Sequence, residues 1–90
     1  MGRWDELEQL ENDLATSKGQ LSELTHFRKV VLAEETLKAL EAGSKSVAAA
    51  DLVARNSKEY RQAVLALAKI IEYESGLWFK YRRVSREAGL

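Results

Sequence analysis

Apolar residues recur at helical spacing almost throughout the chain. From Trp4 to about residue 42 the main apolar positions are Leu7, Leu10, Leu14, Leu21, Leu24, Val31, Leu37 and Leu40, which predicts one long first helix. Leu10, Leu14, Leu21 and Leu24 keep a coiled-coil seam, with Ser17 at the seam position between Leu14 and Leu21. Gly19 is the weak point, because glycine costs a helix interior about 1 kcal/mol against alanine and Ser17 followed by Gln20 offers a fresh start. Continuity is the preferred reading. Beyond Gly19 the apolar face widens to take in Phe27, Val30, Val31 and Ala33, which predicts that more than one neighbour covers this half.

Gly43-Ser44-Lys45-Ser46 is the clear break, with a glycine suited to a helix C-terminus and serines suited to the next N-cap. A short helix is expected over about 47–55, with Ala48, Ala49 and Ala50 beside Val47, Leu52 and Val53. Asn56-Ser57 ends it and caps a long last helix over about 58–86. In that helix Tyr60, Val64, Leu67, Ile71, Trp78 and Tyr81 form one stripe, flanked by Ala63, Ile70, Leu77 and Val84. Ser57 to Arg86 holds most of the large apolar residues, so the rest of the chain is expected to pack on it. Gly76 reads as a kink, a close helix contact or a tolerated residue.

The expected fold is all-α: an antiparallel hairpin of two long helices joined by a short one, a single helical domain over residues 1–90. A composition 46% hydrophobic and 31% charged with no proline agrees with long helices. Ninety residues support only a modest core, so assembly into a dimer or larger helical bundle is expected. With no cysteine, neither disulfides nor thiolate metal sites are open to the chain. The acidic start has no signal-peptide pattern, and no apolar run reaches membrane-spanning length, so a soluble cytoplasmic protein is expected.

Net charge is zero but unevenly spread. Residues 1–13 set Arg3 against five carboxylates, and residues 78–90 set Lys80, Arg82, Arg83 and Arg86 against Glu87. The two ends are complementary and expected to align. The apolar edge Trp4, Leu7, Leu10, Leu14 and Leu21 is the candidate protein interface: if the last helix is too short to cover it, a partner must. The cations Lys80, Arg82, Arg83 and Arg86, interleaved with Trp78 and Tyr81, are the candidate nucleic-acid contact, since cations attract phosphates and aromatic faces stack on unpaired bases. The competing reading places Trp78 and Tyr81 in the core and the cations on the helix C-terminal dipole and the acidic start.

Other features carry less chemistry. Residues 47–66 have helix-turn-helix spacing, but the second helix turns apolar at once and packing accounts for it better. His26 is the lone histidine and assembles no metal or nucleophile site. Glu34-Glu35 and Glu72/Glu74 are spaced to point apart on a helix. No enzyme, cofactor or small-molecule substrate is expected.

Three segments, Arg28-Lys29-Val30-Val31-Leu32-Ala33, Lys45-Ser46-Val47-Ala48 and Ala54-Arg55-Asn56-Ser57-Lys58-Glu59-Tyr60, carry a resemblance. Over roughly residues 20–84 the chain resembles small helical proteins of bacteriophages and prophages, some associated with phage DNA recombination and single-strand binding. The acidic, tryptophan-containing start is outside that pattern. The resemblance implies a phage setting and an accessory role in DNA metabolism, and it transfers no site residues. The reading is therefore a non-enzymatic, self-associating helical protein that binds a phage or host protein. Direct single-stranded nucleic-acid binding is the alternative, and an inhibitor of a host protein would need the same kind of surface.

Overall fold

A computed structural model describes residues 2–89, as three helices with no strand among the described residues: α1 (Arg3–Glu41), α2 (Val47–Arg55) and α3 (Lys58–Glu87). α1 runs unbroken through Gly19. Ser17 does not cap a second start; its hydroxyl turns back to donate to the Leu14 carbonyl at 3.0 Å. Asp5 and Glu6 in the first turn and Lys38 in the last sit where the helix dipole favours each charge.

α1 ends in a Schellman turn. The Ser44 N–H reaches the Ala39 carbonyl at 3.0 Å and the Gly43 N–H the Leu40 carbonyl at 3.1 Å. Gly43 has φ +107°, the left-handed region that a side chain would strain. Ser46 then caps α2, its Oγ accepting from the Ala49 N–H at 3.1 Å. Ser57 links α2 to α3 through one hydroxyl: Oγ donates to the Ala54 carbonyl at 2.6 Å and accepts from the Tyr60 N–H at 3.2 Å.

The chain forms two compact units. The terminal unit comprises Met1–Ser22 and Lys69–Leu90, and the central unit comprises Glu23–Ala68. In the terminal unit Leu7, Leu10 and Leu14 of α1 bury against Leu77 and Val84 of α3, with Tyr81 and Ala88 alongside. Arg3 meets Glu87 at 2.8 Å, Tyr81 meets Glu11 at 3.2 Å, and Lys18 lies over the Trp78 ring. Positions that rise along α1 thus meet positions that fall along α3. Ser17, fully buried, allows close approach where a leucine would continue the seam.

The central unit packs Val31 of α1 against Tyr60 and Ala63 of α3, with Leu32 alongside. Ala39 of α1 and Ala50 and Ala54 of α2 are also buried. The widened face expected after Gly19 is not inward: Phe27, Val30 and Ala33 are exposed, and Val31 alone of that group is buried. The stripe expected on α3 is likewise displaced. Val64, Ile71 and Trp78 are exposed, while the flanking Ala63, Leu77 and Val84 are buried with Tyr60. The inward positions of α3 thus combine the small Ala63 with the larger Tyr60, Leu77 and Val84. A Cβ built on Gly76 would meet nothing within 4 Å and α3 continues through it, which removes the close-contact reading of that residue.

Candidate protein-binding surface

α2 is built with its amphipathicity inverted. Its buried residues are Ala50 and Ala54, while Leu52 is 64% and Val53 56% exposed and Val47 is exposed at the first turn. An ordinary surface helix of this length turns its largest apolar groups inward. Here the two methyl groups that touch the unit leave the branched side chains to solvent.

At the end of α2 the same unit gathers arginines around one phenol. The Tyr60 hydroxyl accepts from Arg28 Nη1 at 3.2 Å and from Arg55 Nη1 at 3.5 Å, and the Arg55 guanidinium carbon lies 5.9 Å from the Tyr60 ring centroid. Arg55 also donates through Nε to Asp51 at 2.7 Å, a hydrogen-bonded ion pair that raises the arginine's pKa further. Arg61 reaches Asn56 Oδ1 at 3.4 Å. Arg55, Tyr60, Arg61, Val64 and Leu65 line one open, almost wholly apolar groove.

In the terminal unit the expected interface residues are mostly used internally. Leu7, Leu10 and Leu14 are buried by Leu77 and Val84, so the condition for their needing a partner is not met. Leu21 is half-buried. Trp4 alone of the set stands out, 65% exposed.

The basic run is divided by its contacts. Tyr81 packs on the core edge, its ring 5.9 Å from that of Trp78 in an edge-to-face pair, and donates its hydroxyl hydrogen to Glu11. That hydrogen bond, with lesser help from desolvation and the Glu11 charge, raises the phenol's pKa. Trp78 carries Lys18 over its ring at 5.6 Å. Arg82 lies 5.9 Å from the ring centroid of Phe79, which is 71% exposed. Lys80, Arg82, Arg83 and Arg86 are exposed and make no ion pair among the described residues. The acidic start therefore does not clamp them; the charges that pair across the unit are Arg3 and Glu87, the minority sign at each end.

His26 is exposed on α1, and no group of three His, Cys, Asp or Glu suited to a metal occurs among the described residues. None of the described helices is long and apolar enough to cross a membrane. The meeting of Arg28, Arg55 and Tyr60 had no signal in the sequence, because Arg28 lies 32 positions from the phenol and only the fold joins them. No protein-family model, curated protein or solved structure matches the chain.

Proposed function

We propose that this chain is a non-enzymatic helical protein that acts by binding another protein, as an accessory in phage or prophage DNA metabolism in the bacterial cytoplasm. The observation that carries the reading is the inverted α2, whose Leu52 and Val53 are mostly exposed and have the chemistry of a protein contact. The phage setting rests on the resemblance of residues 20–84. In this reading the two long helices close as a hairpin and copies associate as a dimer or larger bundle. A photo-crosslinking residue at position 52, in extract from infected cells, traps a discrete protein in both nuclease-treated and untreated samples. The same residue at position 8 serves as the control; equal trapping at both positions, or none, defeats the reading. Light scattering tests the assembly, which a monomer at tens of micromolar would refute.

A second reading, contact with single-stranded nucleic acid, is favoured by the exposed Phe79 beside Arg82 and by three further cations without ion-pair partners among the described residues. Oligothymidylate binding that weakens as salt rises, and fails when Lys80, Arg82, Arg83 and Arg86 are all changed to Gln, supports it. No binding at low salt removes it.

A further inference from the structure

One face of the terminal unit sets acidic and basic stripes side by side. On α1, Trp4, Glu8, Glu11, Ala15 and Lys18 follow at spacings of four and three and share an exposed stripe. On α3, Ser75, Trp78 and Arg82 do the same. The stripes adjoin, because Glu11, Ala15, Lys18 and Trp78 line one open groove, and Ser75, Trp78 and Arg82 line the next. Trp78 is common to both, and Trp4 is the second exposed indole of the face. The charges do not find each other within the chain. Glu8 makes no hydrogen bond or ion pair among the described residues. Glu11 accepts from the uncharged Tyr81 hydroxyl, and Arg82 rests on the Phe79 ring with no carboxylate as partner.

We infer that this face is the contact between two copies of the chain, in which Glu8 and Glu11 of each copy meet Arg82 of the other. The inference rests on the self-association within the proposed function and names its surface. A two-fold axis parallel to the helices sets α1 of one copy against α3 of the other without changing level. Arg3 is level with Glu87 and Glu11 with Tyr81, so Arg82 stands level with the segment between Glu8 and Glu11. Symmetry then makes each acidic-to-basic contact twice. Ala15 and Ser75 are the small residues of the face and leave room between the copies for the Trp78 rings. A foreign helix of one sign would satisfy one stripe and oppose the other, and a phosphodiester would draw Arg82 while Glu8 and Glu11 repel it. A second copy matches both stripes by symmetry.

The test is sedimentation equilibrium of the whole chain and of charge-reversed variants. Wild type sediments as a dimer. Glu8→Arg and Arg82→Glu each weaken dimerisation about tenfold, because a reversed charge acts at two equivalent contacts. Circular dichroism remains helical for both, since each change is at an exposed position. Mixing the two variants in equal amounts restores the dimer, as does placing both changes in one chain. Trp4→Ala, which alters no charge, also weakens it. A wild-type dimer indifferent to either reversal, or one that mixing does not restore, overturns this interface and leaves self-association standing. A wild-type monomer at tens of micromolar overturns both, and oligothymidylate binding by that monomer, lost in Arg82→Glu, assigns the face to nucleic acid instead.

Discussion

Tyr81 donates its phenolic hydrogen to Glu11 Oε1 across 3.2 Å, joining positions 70 residues apart in sequence. The bond holds only while the phenol is protonated, and the pKa of Tyr81 is raised accordingly. A raised folded-state pKa means that the contribution is complete below the ordinary tyrosine range and is lost as pH rises through the elevated value. Ring-proton NMR of Tyr81 should show a later titration in the wild type than in Glu11→Gln. Coincident midpoints would show that the bond does not form in solution.

Ser17 occupies a leucine position of the α1 seam with no exposed surface. Its hydroxyl bonds only within its own helix among the described residues, so Ser17→Ala should keep or raise stability, by at most about 0.5 kcal/mol from helix propensity. Ser17→Leu completes the seam on paper but overpacks the contact, at a cost of about 1–3 kcal/mol. Urea denaturation distinguishes them, and a stabilising leucine would contradict the packing described.

Gly19 and Gly76 lie inside helices, and a Cβ at either would meet nothing within 4 Å. Each change to alanine should add about 1 kcal/mol. Gly43→Ala, at φ +107°, should instead cost about 1–2 kcal/mol by the left-handed penalty. Thermal melts of the three variants should therefore move in opposite directions, up for the first two and down for the third.

Glu74 is half-buried on α3, and its Oε2 has no hydrogen-bond partner among the described residues and almost no exposed surface. Replacing an orphaned carboxylate by a hydrocarbon of similar size removes a desolvation penalty. Glu74→Leu should stabilise by about 1 kcal/mol, equivalent to a melting temperature about 4–8 °C higher for a domain of this size. An unchanged or lower melting temperature would mean that the carboxylate finds a partner in solution.

What was legible in the sequence was governed by near neighbours. The length of α1, the glycine break at Gly43 and the serine caps at Ser46 and Ser57 depend on residues within a turn or two, and the all-helical class followed from them. The inner face of α3 is not legible from side-chain size: Val64 is exposed and Val84 buried although they are the same residue type, and the buried set joins small Ala63 to large Tyr60 and Leu77 while Ile71 and Trp78 face outward. The expectation that Leu7, Leu10 and Leu14 might lack cover rested on the length of the last helix, which the spacing cannot measure against the first; Leu77 and Val84 reach them. Arg28, Arg55 and Tyr60 meet only through the fold, and no spacing in the sequence encodes that contact.

In α2 the residues that hold the helix and those that face outward are separate sets. Ala50 and Ala54 are fully covered and fix its seat. Leu52 and Val53 are mostly exposed, so substitution there costs less than at the buried alanines. Divergent descendants of this chain would share the two alanines and differ beside them, and under the proposed protein-binding function the partner could change while the scaffold stayed the same.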